Sequence, residues 1–219
     1  MDFRVVCISR TLAAEGEAIG RLLAERLAFR YVDERIIERA AQLAQVDPKL
    51  VADIEHRRPL LQRLLGKLAA AQDLVDPVTL ATGLPLSLLA PGSGGHRETP
   101  EDLRLLIRAA IHEVAAAGRA VIVAHAASMA LAGTAGVLRV FVTASAETRA
   151  RRLADATGVS AEEAASRVAA SDCERHDYFR RFYKIKEELP THYDVVLNTD
   201  ALTPEQAAAT ILSVVGRAS

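Results

Sequence analysis

The 219-residue sequence has little cysteine, no tryptophan and only 4% aromatic residues. Its two cysteines are Cys7, in an apolar stretch, and Cys173, in a polar helical stretch. Two such residues make neither a disulfide framework nor a set of metal ligands, and the histidines show no metal-ligand spacing with cysteines or carboxylates. Cysteine usage therefore predicts a protein of a reducing, cytoplasmic compartment.

Long apolar runs and an excess of one charge sign are lacking as well. The N-terminal run "VVCIS" is too short for the apolar part of a signal peptide, and no stretch approaches the roughly 18 apolar residues that span a bilayer. The formal net charge is -1, which gives no overall attraction to nucleic acid or to an anionic membrane. We therefore expect no secretion, no membrane insertion, no nucleic-acid partner and a small-molecule ligand.

Half of the residues are hydrophobic, which is enough to form one domain with a sizeable core. Between helical patterns with apolar residues at every third or fourth position lie five apolar strand patterns, at residues 3–9, 29–33, 119–125, 137–144 and 193–199. Strands that alternate with helices and are apolar on both faces predict an α/β fold with a parallel sheet covered on both sides.

Two segments interrupt this alternation. Residues 47–97 contain helical fragments broken by prolines and then the stretch "PGSGGHRETP", which together predict an inserted helical lobe with a flexible loop. Its apolar stripe "LLQRLLGKLA" suits a core, an acceptor-binding lobe or a homodimer surface, and all three remain open. Residues 160–189 predict a charged helical pair between two strands, a position typical of a lid over an active site.

The stretch "CISRTLAAEGEAIG" predicts a strand, a turn and the start of a helix, which is the layout of a phosphate-binding loop. Such a loop uses glycines, a helix N-terminus and a basic residue. Here Ala13 and Ala14 restrict the backbone, Gly16 is the permissive position, and Glu15 and Glu17 stand where phosphate would lie. A carboxylate about 4 Å from a phosphate charge costs on the order of 4 kcal/mol at a dielectric constant of 20. Glutamates also stabilise a helix N-terminus without any ligand, so a purely structural interpretation is equally consistent.

Several short motifs occur in a recognisable order along the chain. They are Ile8-Ser9-Arg10, Ile19-Gly20, Tyr31-Val32-Asp33, the segment "VLRVFVTASAETRARRLA", the residues Asp172, Arg175 and Tyr178 within "SDCERHDYFRRFY", and the final "YDVVLNT". In this order and spacing the sequence resembles the cytidylate kinase-like family, a branch of the P-loop nucleoside monophosphate kinases. The resemblance extends over nearly the whole chain.

The resemblance implies one domain over residues 1–219, a P-loop NTPase-like three-layer sandwich with a central five-stranded parallel sheet, an inserted helical lobe and a helical lid. It also implies phosphoryl transfer from ATP, with magnesium, to a nucleoside monophosphate such as CMP. That reaction depends on positioning and on positive charge around the migrating group.

On this resemblance, Asp33 would hold magnesium or its waters, and Arg152 and Arg175 would close on the phosphates. The nucleotide-binding residues would be Ser9, Arg10, Ala13, Ala14, Glu15, Gly16, Glu17 and Ala18. Acceptor or lid residues would be His125, Arg149, Asp172, Tyr178, Arg180 and Arg181. Alternatively, the arginines form a solvated helical face with surface salt bridges, and Asp33 caps the helix that follows it.

Two departures from the family pattern affect the predicted chemistry. Glu17 stands where the family has an arginine in its loop, and His125, which is mostly neutral at pH 7, stands where a Gly-Arg-Gly pattern is expected. Both changes remove positive charge from the phosphate sites, and Arg10 and Arg21 are candidates to compensate. Two hypotheses therefore remain: an active nucleotide kinase with an atypical loop, and a catalytically silent relative that acts as a binding or regulatory module.

Overall fold

A computed structural model describes residues 3–33, 100–124 and 126–216, and for residues 100–106 it describes the backbone alone. The inserted lobe predicted for residues 47–97 lies outside the described residues. So does His125. Both predictions stay untested.

Strands and helices alternate along the described chain, as the sequence predicts. In chain order they are β1 (Val5–Arg10), α1 (Gly16–Leu27), β2 (Arg30–Asp33), α2 (Pro100–Ala117), β3 (Ala120–Val123), α3 (Ala127–Ala130), β4 (Val137–Thr143), α4 (Ala146–Thr157), α5 (Ala161–Tyr183), a short 3-10 helix (Pro190–His192), β5 (Val195–Asn198) and α6 (Pro204–Gly216).

The strands form one five-stranded parallel sheet in the order β2-β3-β1-β4-β5. Strand β1 lies in the middle, so that Cys7 is paired with Ile122 of β3 on one side and with Arg139 of β4 on the other. Ligands of open parallel sheets bind at the carboxyl ends of the strands. The turn from β1 into α1 therefore lies at the centre of the edge where a ligand is expected.

Apolar side chains cover both faces of the sheet. On β1, Val5 and Cys7 face the cluster that contains Ile111 of α2, because side chains alternate along a strand. Val6 and Ile8 face the opposite cluster, which is completed by buried residues of α1 and α6, namely Ile19, Leu23, Ala207, Ala208 and Ile211. This arrangement confirms the predicted α/β fold with a five-stranded parallel sheet between two helical layers.

The charged segment predicted as a helical pair contains one long helix, α5, and that part of the prediction is wrong. The helix begins at Ser160, whose side chain accepts a hydrogen bond from the Glu163 N–H at 3.2 Å, and no glycine or proline interrupts residues 161–183. Gly158, with φ of 71°, ends the preceding helix α4 and allows the chain to reverse. Helices α4 and α5 then pack together through Leu153 and Val168.

In the part of the chain that the structure describes, no helix combines the length and the hydrophobicity needed to cross a lipid bilayer.

Candidate functional site

The loop between β1 and α1 has an unusual backbone. Ala13 and Glu15 have φ angles of 59° and 66°, in the left-handed region where a side chain costs about 1–2 kcal/mol per residue. The sequence predicts Gly16 as the permissive position, and this prediction is wrong, since Gly16 is not among the residues with positive φ. Gly16 is needed for space instead, because an added Cβ would lie 2.7 Å from the Cβ of Arg10. The loop thus adopts a turn that favours glycine without using glycine.

Three donors hold the carbonyl groups of this loop. Arg175 donates to the Arg10 carbonyl at 3.0 Å, Arg152 to the Ala13 carbonyl at 3.4 Å, and the Thr199 hydroxyl to the Ala14 carbonyl at 3.2 Å. In a trans peptide the C=O and the following N–H point in opposite directions. The N–H of Glu15, which follows Ala14, therefore points away from Thr199, at the N-terminus of α1 where helices favour anions.

Both glutamates of the loop have arginine partners. Glu17 forms an ion pair with Nε of Arg10, and a Glu15 carboxylate oxygen lies 3.8 Å from Nε of Arg152. The sequence predicts that these carboxylates face a phosphate and that these arginines bind one. In the structure each carboxylate has an arginine partner, and phosphate binding by these arginines stays a prediction.

Arg175 is brought to the loop by α5 and is only 7% exposed. Its Nε and Nη2 donate to the Glu188 carboxylate at 2.8 and 2.6 Å, and its guanidinium lies 4.7 Å from the ring centre of Phe179. The Tyr193 hydroxyl also donates to Glu188. Burial and then the nearby Glu188 charge raise the pKa of Tyr193, so its hydroxyl keeps its proton as a donor. Arg175 is therefore a buried cation with a bidentate counter-ion.

Arg149 and Asp172, both predicted near the acceptor or the lid, lie together. Arg149 is 5% exposed and donates to the two Asp172 carboxylate oxygens at 2.8 and 2.7 Å. Its Nε also donates to the Ala144 carbonyl at 3.0 Å. This pair joins α4, α5 and the end of β4, so it fixes the position of the long helix.

A cavity of about 310 Å³ lies between the loop, the end of β4 and α5. Its lining includes the Thr11 and Thr143 side chains, together with both arginine–carboxylate pairs of α5. This volume is at the lower end of the range for small-molecule sites. The cavity is polar and lies over the carboxyl ends of β1 and β4.

The predicted site residue at the end of β2 lies on the other side of β1, beyond β3 in the sheet. Asp33 is buried at 9% exposure, and Ser9 donates to the hydroxyl of Ser128 at 3.0 Å. The Tyr31 hydroxyl is buried and has no hydrogen-bond partner among the described residues. Burial, and then the charge of Asp33, raise its pKa. The guanidinium of Arg21 lies 4.5 Å from the Tyr31 ring centre, so Arg21 stacks on this side chain.

The remaining predicted lid residues lie in the last turns of α5. The Tyr178 ring lies 4.7 Å from that of Phe182. Arg180 pairs with Asp177 at 3.2 Å and both are exposed, and Arg181 lies 5.1 Å from the Phe182 ring centre. These contacts place Arg180 in a surface salt bridge, as the alternative interpretation of the arginines expects.

Two members of the site, Thr199 and Glu188, are not indicated as site residues by the sequence. Thr199 was visible only as the end of the closing strand motif, and Glu188 belongs to a charged stretch with no pattern of its own. The described residues contain no group of three or more histidines, cysteines, aspartates or glutamates that would hold a metal ion.

Solved structures share this architecture at low sequence identity. An uncharacterized protein from Eubacterium ventriosum ATCC 27560 matches with a TM-score of 0.64 and 14% identity, covering 97% of this chain and 98% of the other. Shikimate kinase from Bacteroides thetaiotaomicron matches with a TM-score of 0.50 and 13% identity, over 97% and 98% of the two chains. At such identities the likeness establishes the fold alone.

Sequence comparison is more specific. A cytidylate kinase from Ignicoccus hospitalis is 33% identical over 132 residues, which cover 60% of this chain and 75% of that protein. The model of the cytidylate kinase-like family matches residues 5–201, which include the loop, the arginine-bearing helices α4 and α5, and the closing strand. The chain therefore belongs to the cytidylate kinase-like family.

Proposed function

We propose that this chain binds ATP at the β1–α1 loop and transfers a phosphoryl group to a nucleoside monophosphate such as CMP. Family membership supports a nucleotide kinase-like function. The observation that carries the proposal is the loop backbone. Ala13 and Glu15 hold left-handed angles, and the carbonyls of Arg10, Ala13 and Ala14 are held by outside donors, which suits amides that bind an anion.

Each residue then has a defined part. The Glu15 amide and the N-terminus of α1 would bind phosphate oxygens, and Arg10 and Arg175 would add positive charge after their carboxylates move aside. Asp33 would hold a magnesium ion or its waters, since this ion usually takes one or two protein carboxylates beside substrate phosphates. When bound, magnesium supplies charge that offsets the phosphates.

A second candidate function is a catalytically silent module that binds a ligand or a partner without transferring phosphate. The ion pairs Arg10–Glu17 and Arg152–Glu15 favour it, because the loop arginines already have counter-ions. A phosphate must displace the carboxylates and then tolerate their charge nearby, which costs on the order of 4 kcal/mol at 4 Å and a dielectric constant of 20.

The test combines nucleotide binding with a phosphotransfer assay. Thermal unfolding is measured with ATP, ATP plus magnesium, CMP and other monophosphates, because a ligand at 100 times its dissociation constant adds about 2.7 kcal/mol. Transfer from ATP to the monophosphates that bind is then followed directly. In an active kinase, both ATP and a monophosphate raise the unfolding temperature. Arg10→Ala and Asp33→Ala then each lower turnover by about tenfold or more.

Glu17→Gln tests whether Arg10 can bind phosphate once its carboxylate partner is removed, with Glu25→Gln, an exposed glutamate of the same helix, as its control. Freed from the Glu17 carboxylate, Arg10 gains a phosphate partner, and ATP affinity should rise by roughly three- to tenfold, while Glu25→Gln leaves it unchanged. Transfer by the wild-type protein establishes the kinase. Binding without transfer in every variant supports the silent module, and no shift with any nucleotide in a cooperatively melting protein rejects the nucleotide site.

A further inference from the structure

We propose that Thr199 is a positioning residue for the β1–α1 loop and that Arg152 acts through Thr199 instead of touching the transferred phosphate. The ligand part of this inference rests on the proposed function. Its structural part does not, because it concerns the loop in the protein without nucleotide.

Thr199 lies where three elements meet and is 1% exposed. Its N–H donates to the Thr143 carbonyl at 2.8 Å, which extends the pairing of β5 with β4 by one residue. Its hydroxyl donates to the Ala14 carbonyl at 3.2 Å and lies 3.3 Å from the Thr143 carbonyl. The side chain thus connects the sheet directly to the turn that precedes α1.

Arg152 of α4 donates to the same residue twice. Its Nη1 donates to the Thr199 hydroxyl oxygen at 3.0 Å, and its Nη2 donates to the Thr199 carbonyl at 2.6 Å. A hydroxyl has a single proton, so an oxygen that accepts from Arg152 directs that proton toward the carbonyl groups. Of the two carbonyl groups, that of Ala14 is the nearer, and that of Thr143 already accepts from the Thr199 N–H, so the hydrogen bonds run from Arg152 to Thr199 and from Thr199 to Ala14.

The rest of the Arg152 guanidinium also faces the loop. Nη1 lies 3.4 Å from the Ala13 carbonyl, and Nε lies 3.8 Å from Glu15. All three guanidinium nitrogens thus have partners: Nη1 and Nη2 contact backbone carbonyls, and Nε faces a carboxylate. An arginine held in this way fixes the shape of the loop, which is a different role from closing on a phosphate.

The hydrogen bonds from Arg152 to Thr199 and from Thr199 to Ala14, here called the relay, determine where the Glu15 N–H points. Holding the Ala14 carbonyl against Thr199 sets the direction of the Glu15 N–H and supports the left-handed angle of Glu15. Without the hydroxyl, this peptide is free to rotate and the strained conformation loses its support. Phosphate affinity then falls because the amide is no longer oriented before the ligand arrives.

The experiment uses Thr199→Val, which keeps the shape without the hydroxyl, and Thr199→Ser, which restores it. Hydrogen–deuterium exchange of the loop peptide is measured without nucleotide, and ATP affinity is measured by calorimetry. We expect Thr199→Val to raise loop exchange and to weaken ATP binding by roughly three- to tenfold, and Thr199→Ser to stay near the wild type. Arg151→Ala, an exposed neighbour on α4, is the control and should change neither quantity.

Arg152→Ala and the double variant with Thr199→Val test the direction of the relay. If Arg152 acts through Thr199, the double variant binds ATP no more weakly than the more impaired of the two single variants. Losses of ATP affinity that multiply in the double variant, while its loop exchanges no faster than in Thr199→Val alone, mean that Arg152 binds the phosphate itself and overturn the inference. If Thr199→Val does not fold, Arg152→Lys replaces it, because a lysine cannot donate to both Thr199 oxygens in the arginine geometry.

Failure of the proposed function can be distinguished from failure of the positioning role of Thr199. If the wild-type protein does not bind ATP, the exchange data alone decide. Faster loop exchange in Thr199→Val, rescued by Thr199→Ser, then supports the positioning role. Unchanged exchange in a folded Thr199→Val variant overturns it.

Discussion

Glu188 accepts two hydrogen bonds from Arg175, at 2.8 and 2.6 Å, across the turn that follows α5. Charge-assisted bidentate pairs of this kind are among the strongest hydrogen bonds in proteins. A phosphate that approaches from the cavity must therefore compete with a carboxylate already in place. Arg149 forms a second bidentate pair with Asp172, and Arg10 forms an ion pair with Glu17, so each of these three arginines already has a carboxylate counter-ion.

Replacing Ala13 with glycine should stabilise the protein. The left-handed φ of 59° costs alanine about 1–2 kcal/mol, whereas glycine adopts it freely and loses about 0.5–1 kcal/mol through the greater entropy of its unfolded chain. We expect Ala13→Gly to raise the free energy of unfolding by up to about 1.5 kcal/mol, measured by urea denaturation.

Ala18→Gly is the matched control for this prediction, since Ala18 lies in the regular part of α1. There the same change should lower the free energy of unfolding by about 0.5–1 kcal/mol. Opposite signs for the two variants are the expected result. A loss of stability in both would mean that the loop does not hold the left-handed conformation at Ala13.

Replacing Gly20 with alanine should destabilise the protein. An added Cβ would lie 2.5 Å from Cγ2 of Val123 and 3.1 Å from Cε2 of Tyr31, where α1 lies close against the sheet. Such overpacking typically costs about 1–3 kcal/mol, which thermal or urea unfolding would detect. In Gly216→Ala, where an added Cβ has no heavy atom within 4 Å, the change should be neutral or stabilising. Equal stabilities of the two variants would contradict this close approach.

The fold was predictable because its signals are local. The strands are encoded by short apolar runs such as Val5–Arg10, the helices by apolar residues at every third or fourth position, and the structure confirms the parallel sheet that their order predicts. The sequence analysis predicts a helical pair at residues 160–189, but no glycine or proline interrupts residues 161–183, and one continuous helix, α5, forms there. Helix continuity was available from the sequence.

The contacts of the site were not predictable in the same way. Arg175 binds the Arg10 carbonyl across 165 positions, and Arg152 binds the Ala13 carbonyl across 139. No periodic pattern reports which partner a charged side chain meets over such separations. The sequence leaves open whether these carboxylates face a phosphate or only stabilise a helix N-terminus, whereas the structure places an arginine beside each of them.

The stability of the protein should depend on pH through Asp194. Burial pushes the pKa of this carboxyl upward, but hydrogen bonds from the Arg139 side chain and backbone outweigh burial and hold the pKa below its ordinary value. A lowered folded-state pKa adds stability that is fully present above the unfolded-state pKa of about 3.9 and is lost as the pH falls through the folded-state value.

Asp194→Asn should therefore be less stable than the wild type at pH 7 and at pH 5, and this difference should shrink below a pH of about 4. Urea unfolding at several pH values measures it. Asp155→Asn, at an exposed position of α4, is the control and should show no such convergence. A difference of constant size down to pH 3 would rule out the Arg139 pair as its source.

The two cysteines should differ sharply in reactivity. Burial raises the pKa of the Cys7 thiol, which lies fully buried in the central strand, whereas Cys173 is exposed on α5. Thiolates are the reactive species, so a disulfide reagent at pH 8 should modify Cys173 rapidly and Cys7 only when the protein unfolds. Cys173→Ser should abolish the fast phase. Two fast thiols in the native wild-type protein would contradict the placement of Cys7.

The hydrogen bond between Thr199 and Ala14 also sets an order of events during synthesis. The two residues are 185 positions apart. At about 5–20 residues per second, the ribosome adds Thr199 about 10 to 40 seconds after Ala14. Throughout that interval the nascent loop has neither its hydroxyl anchor nor the support of α6 beneath α1. The β1–α1 loop is thus completed among the last parts of the domain, and a nascent chain that stops before β5 lacks the Thr199 contact to this loop.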